Sequence, residues 1–170
     1  MANNDAVRLG DLDGSDAIYP PFNRVFPYPK FLVINIYGGY TLLSGKSICI
    51  THPDQLLVAQ RLQSALAQIG IEWGIKVQSA NQGRENVGVQ FEIKPLEYGI
   101  DAYEVEIEIY SPYQNHYKNG IISLLATNLP SLENGVGTLI QVIQLAFEEF
   151  EEDIPSLWIR DWMDTSYSAG

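Results

Sequence analysis

A chain of 170 residues with 46% hydrophobic and 18% charged residues has the length and composition of one packed domain and is too apolar to be disordered throughout. Its formal charge of −11, with no run of Lys and Arg, sets up a field that repels phosphate backbones and argues against nucleic acid as a partner. Cys49 is the single cysteine, so an internal disulfide and a cysteine-built zinc site within the chain are both excluded. No stretch of about 18 apolar residues offers a membrane span. The start, Met1-Ala-Asn-Asn-Asp5, has no apolar signal core, which implies a cytoplasmic protein if that start is native.

Residues 1–26 read as a flexible tail and lead-in: Asn, Asp and Gly without periodicity as far as Asp16, then the prolines Pro20 and Pro21, with Pro27 and Pro29 continuing an extended segment. The run Phe31-Leu-Val-Ile-Asn-Ile-Tyr37 predicts a strand. Tyr40 to Leu43 and Ser47 to Thr51 predict a hairpin turning at Ser44-Gly45, so that three strands open the domain. A helix is expected from Asp54 to about Ile69, because Val58, Ala59, Leu62, Ala65, Leu66 and Ile69 share one face and Gly70 supplies the stop. Val87, Val89, Phe91 and Ile93 alternate as a strand. So do Tyr103, Val105, Ile107 and Ile109, which leaves Glu104, Glu106 and Glu108 on a solvated face.

Ile121 to Ala126 reads as a further strand, and Ser131, a plausible N-cap, opens a second helix to about Phe150. Leu132, Val136, Leu139, Ile143, Ala146 and Phe150 form its central apolar stripe. Ile140, Val142 and Phe147 widen that stripe to nearly half the circumference, more than one sheet requires, so a second packing partner is expected. The order of elements predicts an α+β fold: an open, largely antiparallel (mixed) sheet with two helices packed on one face.

No catalytic, cofactor-binding or metal residue is assigned from the residues themselves. His52 and His116 both fall at surface positions, and Cys49 sits in the apolar run Ser47-Ile-Cys-Ile50 as a buried thiol. Gly45-Lys46-Ser47 lacks the upstream glycine of a phosphate-binding loop, and no zinc-hydrolase, nucleophile-elbow or dinucleotide motif occurs. The acidic cluster Glu148-Glu-Phe-Glu-Glu-Asp153 opposes the dipole at the end of the second helix and lacks the spaced loop of a calcium site.

The segment Ile154-Pro-Ser-Leu-Trp-Ile-Arg-Asp-Trp-Met-Asp164 resembles the junction of β-N-acetylhexosaminidases, where an Ile-Pro-x-x-x-Ile-x-Asp-Trp-Pro-Asp type strand leads from an accessory domain into the catalytic barrel. Upstream, Gly39-Tyr40-Thr-Leu with Ile48-Cys-Ile, Ala102-Tyr-Glu-Val-Glu-Ile107 and Asn134-Gly-Val-Gly-Thr-Leu-Ile-Gln141 are similar to family segments in the same order. The resemblance spans Pro27 to Asp164. It implies a sheet whose two helices pack between sheet and barrel, with the catalytic Asp-Glu pair in a barrel that this chain does not contain. Met163 stands in place of the junction proline, and Ser168 and Ala169 stand where the family has the Arg-Gly whose arginine grips the sugar.

The expected organisation is therefore a tail and lead-in over 1–26, an accessory-like domain over 27–164, and a tail or the start of a missing barrel over 165–170. The expected function is that of a non-catalytic accessory domain of a glycoside hydrolase, with no cofactor. Its expected partner is the barrel of the same parent protein, or a second copy met through the second helix, with neither nucleic acid nor membrane involved. The alternatives are a stand-alone interaction or scaffold module and, third, a small acid–base enzyme using Asp161 or Asp164.

Overall fold

The computed structural model describes residues 6–8, 21–79, 81–82, 86–109, 120–150 and 153–163. Its strands are β1 (Ala6–Arg8), β2 (Phe31–Thr41), β3 (Ser47–Ile50), β4 (Gly74–Val77), β5 (Val87–Ile93), β6 (Tyr103–Ile109), β7 (Gly120–Ala126) and β8 (Asp153–Asp161). Its helices are α1 (Leu56–Gln68) and α2 (Leu129–Phe150). The described strands form one sheet in the order β1-β2-β8-β6-β7-β5-β3-β4. Neighbours from β1 to β7 run antiparallel. From β7 through β5 and β3 to β4 they run parallel. The α+β class and the mixed sheet with two helices are as expected, though the parallel part is larger than "largely antiparallel" implied.

The hairpin expected at Ser44-Gly45 does not form. Tyr40 and Thr41 continue β2 and pair with β8, whereas Ser47 to Ile50 pair in parallel with β4 and β5. Ile48, Cys49 and Ile50 are all buried, so β3 is covered on both faces, a state that suits a parallel strand reached by a helical crossover and not the arm of a surface hairpin. Gly45, at φ +100°, turns the chain from β2 into β3 and donates its N–H to Glu72 O. The two strands read at Phe31–Tyr37 and Tyr40–Leu43 are one strand with an irregularity: Asn35 faces Ser156, and the next pair joins Gly39 to Pro155. Pro155 has no N–H to offer the ladder, so a central strand accommodates it where the register shifts. β4 was not expected at all, and Ala6–Arg8, inside the segment read as a tail, pairs with β2.

α1 begins after a 3-10 turn, Pro53–Gln55, and ends where Gly70 takes φ +88°. Gly70 N–H donates to Ala67 O and Ile71 N–H to Leu66 O, the paired closure that a glycine just past the helix permits. α2 is capped by Asn128 and not by Ser131: Asn128 Oδ1 accepts from Ser131 N–H at 2.9 Å, and Ser131 is buried in the first turn. Both helices bury their stripes against one face of the sheet in a shared core with Tyr40, Phe91, Val105, Ile107, Leu124 and Ile159.

Alternation on β6 holds at Tyr103, Val105 and Ile107, which are buried beneath α2; the side chain of Ile109 lies outside the described residues. Glu104, Glu106 and Glu108 point to the opposite face but are half-buried, so that face is less wet than expected. Part of the lead-in packs on α2. Phe22 and Val25 enter the core, Phe22 lies 6.4 Å from the Phe150 ring, and Gln141 holds the backbone of Phe26 through two hydrogen bonds, accepting from its N–H at 2.8 Å and donating to its O at 2.7 Å.

Candidate functional site

A cleft of about 400 Å³ opens where the N-terminal half of α2, Arg61 of α1, Pro27 of the lead-in and the Trp162-Met163 end of β8 converge. Two glycines shape it. At Gly135 a Cβ would lie 3.0 to 3.1 Å from Leu124 and Tyr103, so the missing side chain lets α2 settle closely onto the sheet. At Gly137, which lines the cleft, a Cβ would lie 3.2 Å from Arg61 Nη2, so the guanidinium rests against bare helix backbone.

Tyr103 and Thr138 contribute a buried hydroxyl pair, 2.7 Å apart, to the cleft wall. Burial drives the Tyr103 hydroxyl well above the ordinary tyrosine range; the bond to Thr138 acts the other way and the charge of Asp161 adds to the rise. Tyr103 is thus a neutral hydrogen-bonding group and not a base. Asp161 also lines the cleft. Its Oδ1 accepts from Lys30 N–H at 3.3 Å and Trp162 N–H at 3.0 Å, with Lys30 Nζ at 3.8 Å. Lys30 Nζ in turn donates to Trp162 O at 2.8 Å, which ties β8 to the start of β2. Asp164, the other aspartate weighed for acid–base work, lies outside the described residues.

Several polar groups of this cleft have capacity to spare. Arg61 donates one long bond, 3.4 Å, to Glu133 O and makes no ion pair among the described residues. The carboxylate of Glu133, the amide of Asn134 and the indole N–H of Trp162 make no hydrogen bond among the described residues. Asp101 Oδ1 accepts from Asn128 at 2.7 Å. This convergence was not read from the sequence. A signal existed in Asn134-Gly135-Val136-Gly137, since two glycines inside one helix cost about 1 kcal/mol each relative to alanine unless close approach offsets them.

The other residues considered earlier are not brought into this cleft. Cys49 is buried, and desolvation pushes its thiol up despite Lys76. His52 is exposed and its Nδ1 accepts from Asp54 N–H at 3.1 Å, capping the turn before α1. Lys46 Nζ lies over the Tyr40 ring at 4.7 Å and donates to its hydroxyl at 3.1 Å, and burial lowers its pKa. Of the acidic cluster, Glu148 pairs with Arg24 at 3.4 Å on the surface and Asp153 accepts from Thr41 Oγ1 at 2.6 Å. His116, Glu151, Glu152, Ser168 and Ala169 lie outside the described residues. No group of three or more His, Cys, Asp or Glu that could hold a metal occurs among the described residues. No helix among them is long and apolar enough to cross a membrane.

On the helix-free face, Arg160 stacks on the rings of Trp158, Tyr98 and Phe31, with its guanidinium carbon 4.1, 5.0 and 5.4 Å from their centroids. The chain's own cation already fills this aromatic setting. The cluster therefore fastens β8 to β2 and to the loop before β6.

No family model matches the chain, and no curated protein does. Solved structures do. CpGH84D, a family-84 glycoside hydrolase, superposes with a TM-score of 0.55 and 17% identity over 81% of this chain and 23% of its own. An inactive mutant of the family-20 exo-β-N-acetylglucosaminidase from Vibrio harveyi gives a TM-score of 0.55 and 14% identity over 78% of this chain and 18% of its own. The fold is shared with part of these hydrolases. This chain spans less than a quarter of the length of either.

Proposed function

We propose that this chain serves as a non-catalytic accessory domain of a β-N-acetylhexosaminidase-type glycoside hydrolase, supporting a catalytic barrel outside these 170 residues. The observation that carries this reading is the asymmetry of coverage: about four-fifths of the chain aligns with less than a quarter of each hydrolase. The barrel would be met through α2, where Ile140 and Phe147 stay partly exposed after the sheet and the lead-in have packed. Glycoside hydrolysis in its usual form needs two carboxyl groups flanking the scissile bond, and in this proposal the barrel supplies them.

The test is an assay of the chain alone on a chromogenic N-acetylglucosaminide, together with the length of the reading frame that encodes it. Turnover no faster than buffer, and a frame running on into a barrel, support the proposal. A measurable rate that disappears in Asp161→Asn would overturn it in favour of the acid–base reading.

A second reading, a stand-alone interaction module, is favoured by the lead-in. Phe22 and Val25 fill part of the wide apolar arc of α2, so the helical layer closes to a large extent within the chain. A frame that stops after Gly170 would select this reading.

A further inference from the structure

We infer that the open edge of β4 and the adjoining side of α1 form a contact between two copies of this chain, with β4 pairing antiparallel to its counterpart across a two-fold axis at Ile75. Among the described residues β4 ends the sheet and has one strand neighbour, β3. Gly74 N–H donates to Lys46 O and Gln78 N–H to Ile50 O, so by the two-residue period of a strand the N–H and C=O groups of Ile75 and Val77 point away from β3, to the open side. The pairing with β3 runs from Ser47 and Gly74 to Ile50 and Val77 without a bulge, and no proline interrupts β4. Val77, 63% exposed, lies at the end of that edge.

Charge makes a second copy the occupant. Two chains of formal charge −11 repel over most of their surface, but α1 carries a single charged side chain, Arg61, which reaches to Glu133 O of α2. The opposite side of α1 is marked by Gln63, whose Nε2 donates to Trp73 O beside β4 at 2.9 Å. Leu56, Gln60 and Ala67 share that side with Gln63 at spacings of three and four residues, and all three are exposed. This side of the molecule is thus free of carboxylates, as the middle of an interface requires.

The strand adds one lysine, which fixes the register. With Ile75 on the axis, Ile75 exchanges both backbone bonds with its counterpart, and Val77 pairs with Trp73 of the second copy. Lys76 then stands over the backbone of the second Gly74, where a Cβ would meet nothing within 4 Å, and reaches diagonally to the second Glu72. An axis at Lys76 would set two lysines directly opposite, which like charges disfavour. α1 packs on β3 and β4 together, so strands about 4.8 Å apart would bring the two α1 axes to roughly 10 Å, the spacing of packed helices. A strand pair from Trp73 to Val77 with one helix contact is a small interface, and a dissociation constant on the order of 100 μM is expected.

The experiment is sedimentation velocity of the 170-residue chain over a concentration series, with hydrogen exchange measured at both ends of the series. Expected are a dimer that forms with rising concentration and exchange at the Ile75 and Val77 amides that slows only in the concentrated sample. Val77→Pro removes an outward N–H and spares the ladder to β3, while Gln60→Glu keeps a good helix former and places a carboxylate across the axis from its counterpart. Each should weaken the dimer by roughly tenfold or more, with the melting temperature of Gln60→Glu unchanged. Lys76→Glu should weaken it as well, and adding Glu72→Lys should restore it. A swap that fails to restore the dimer overturns the Ile75 register. A chain that stays monomeric to about 1 mM, a dimer indifferent to both Val77→Pro and Gln60→Glu, or concentration-dependent protection that maps to α2 instead overturns the inference.

Discussion

The indole N–H of Trp158 donates to Oε2 of Glu104 at 2.6 Å, joining β8 to β6 diagonally on the sheet face that carries no helix. Tyr98 donates to the other oxygen of Glu104 at 3.3 Å, and Arg160 Nε stands 3.7 Å from that same oxygen. Glu104 is therefore bound from three sides, while its neighbour Glu106 stands opposite Trp158 in the register and is only half-buried.

Arg160→Ala should destabilise the domain by about 1 to 3 kcal/mol, because it removes a cation stacked on three rings and leaves a half-buried carboxylate with fewer partners. Arg160→Lys should recover less than half of that, since a point charge cannot stack as a planar guanidinium does. Urea denaturation of the three proteins checks the order. Equal midpoints for wild type and Arg160→Ala would show the cluster to be a solvated ornament of the surface.

Glu106 titrates in the opposite sense to a paired carboxylate. Burial raises its pKa first, then the charges of Glu108 and Glu104, with Arg160 opposing. A folded pKa above the unfolded one means that the stabilising proton is present in acid and is lost as pH rises through the folded value. Glu106→Gln should therefore be more stable than wild type at neutral pH, and the gap should close as the pH falls below the ordinary glutamate value of about 4.3. Melting temperatures of both proteins across that range decide the sign.

Ile107, which faces α2 from the same strand and is 1% exposed, gives the contrast. Ile107→Ala should cost about 2 to 5 kcal/mol through the cavity it leaves. Leu57→Ala, on the open side of α1 at 78% exposure, should change stability by no more than about 0.5 kcal/mol. Comparable losses in chemical denaturation would mean that α1 buries a different face.

The attachment of the lead-in rests on Gln141. Gln141→Leu removes both hydrogen bonds to the Phe26 backbone and should cost about 1 to 2 kcal/mol while the core contacts of Phe22 and Val25 persist. Hydrogen exchange at the Phe26 amide should quicken well before that of the β6 amides. Arg24→Ala, which breaks an ion pair between exposed side chains, should leave that exchange rate nearly unchanged.

Elements with one strong period were legible in the sequence: the α1 stripe ending at Gly70, the β6 alternation, and α2 with its over-wide apolar arc. Where local pattern misled, the cause was tertiary. Ser47 to Ile50 carries continuous apolar residues because it is covered on both faces, yet its nearness to Tyr40–Leu43 invited a hairpin. β4, with three of its four residues exposed, has too little burial to leave a pattern. Asn128 caps α2 from outside the apolar run, so Ser131 looked like the start. The cleft was illegible for a different reason: Pro27, Arg61, Asp101, Asn134 and Trp162 are distant in sequence, and the packing of helices, lead-in and sheet together brings them to one place.

The sheet order also says something about when the domain can be complete. β8 lies between β2 and β6 in the middle of the sheet, although it is the last of the described strands in chain order and its Ser156 pairs with Asn35 in the second of them. Until β8 is inserted, β2 and β6 both present unpaired edges, and the antiparallel half of the sheet is two pieces. Long-range closure of this kind is slow. A nascent chain that stalls before Asp153 should therefore expose both edges at once, and it is at this stage, before the last strand docks, that the protein is most open to pairing with the wrong partner.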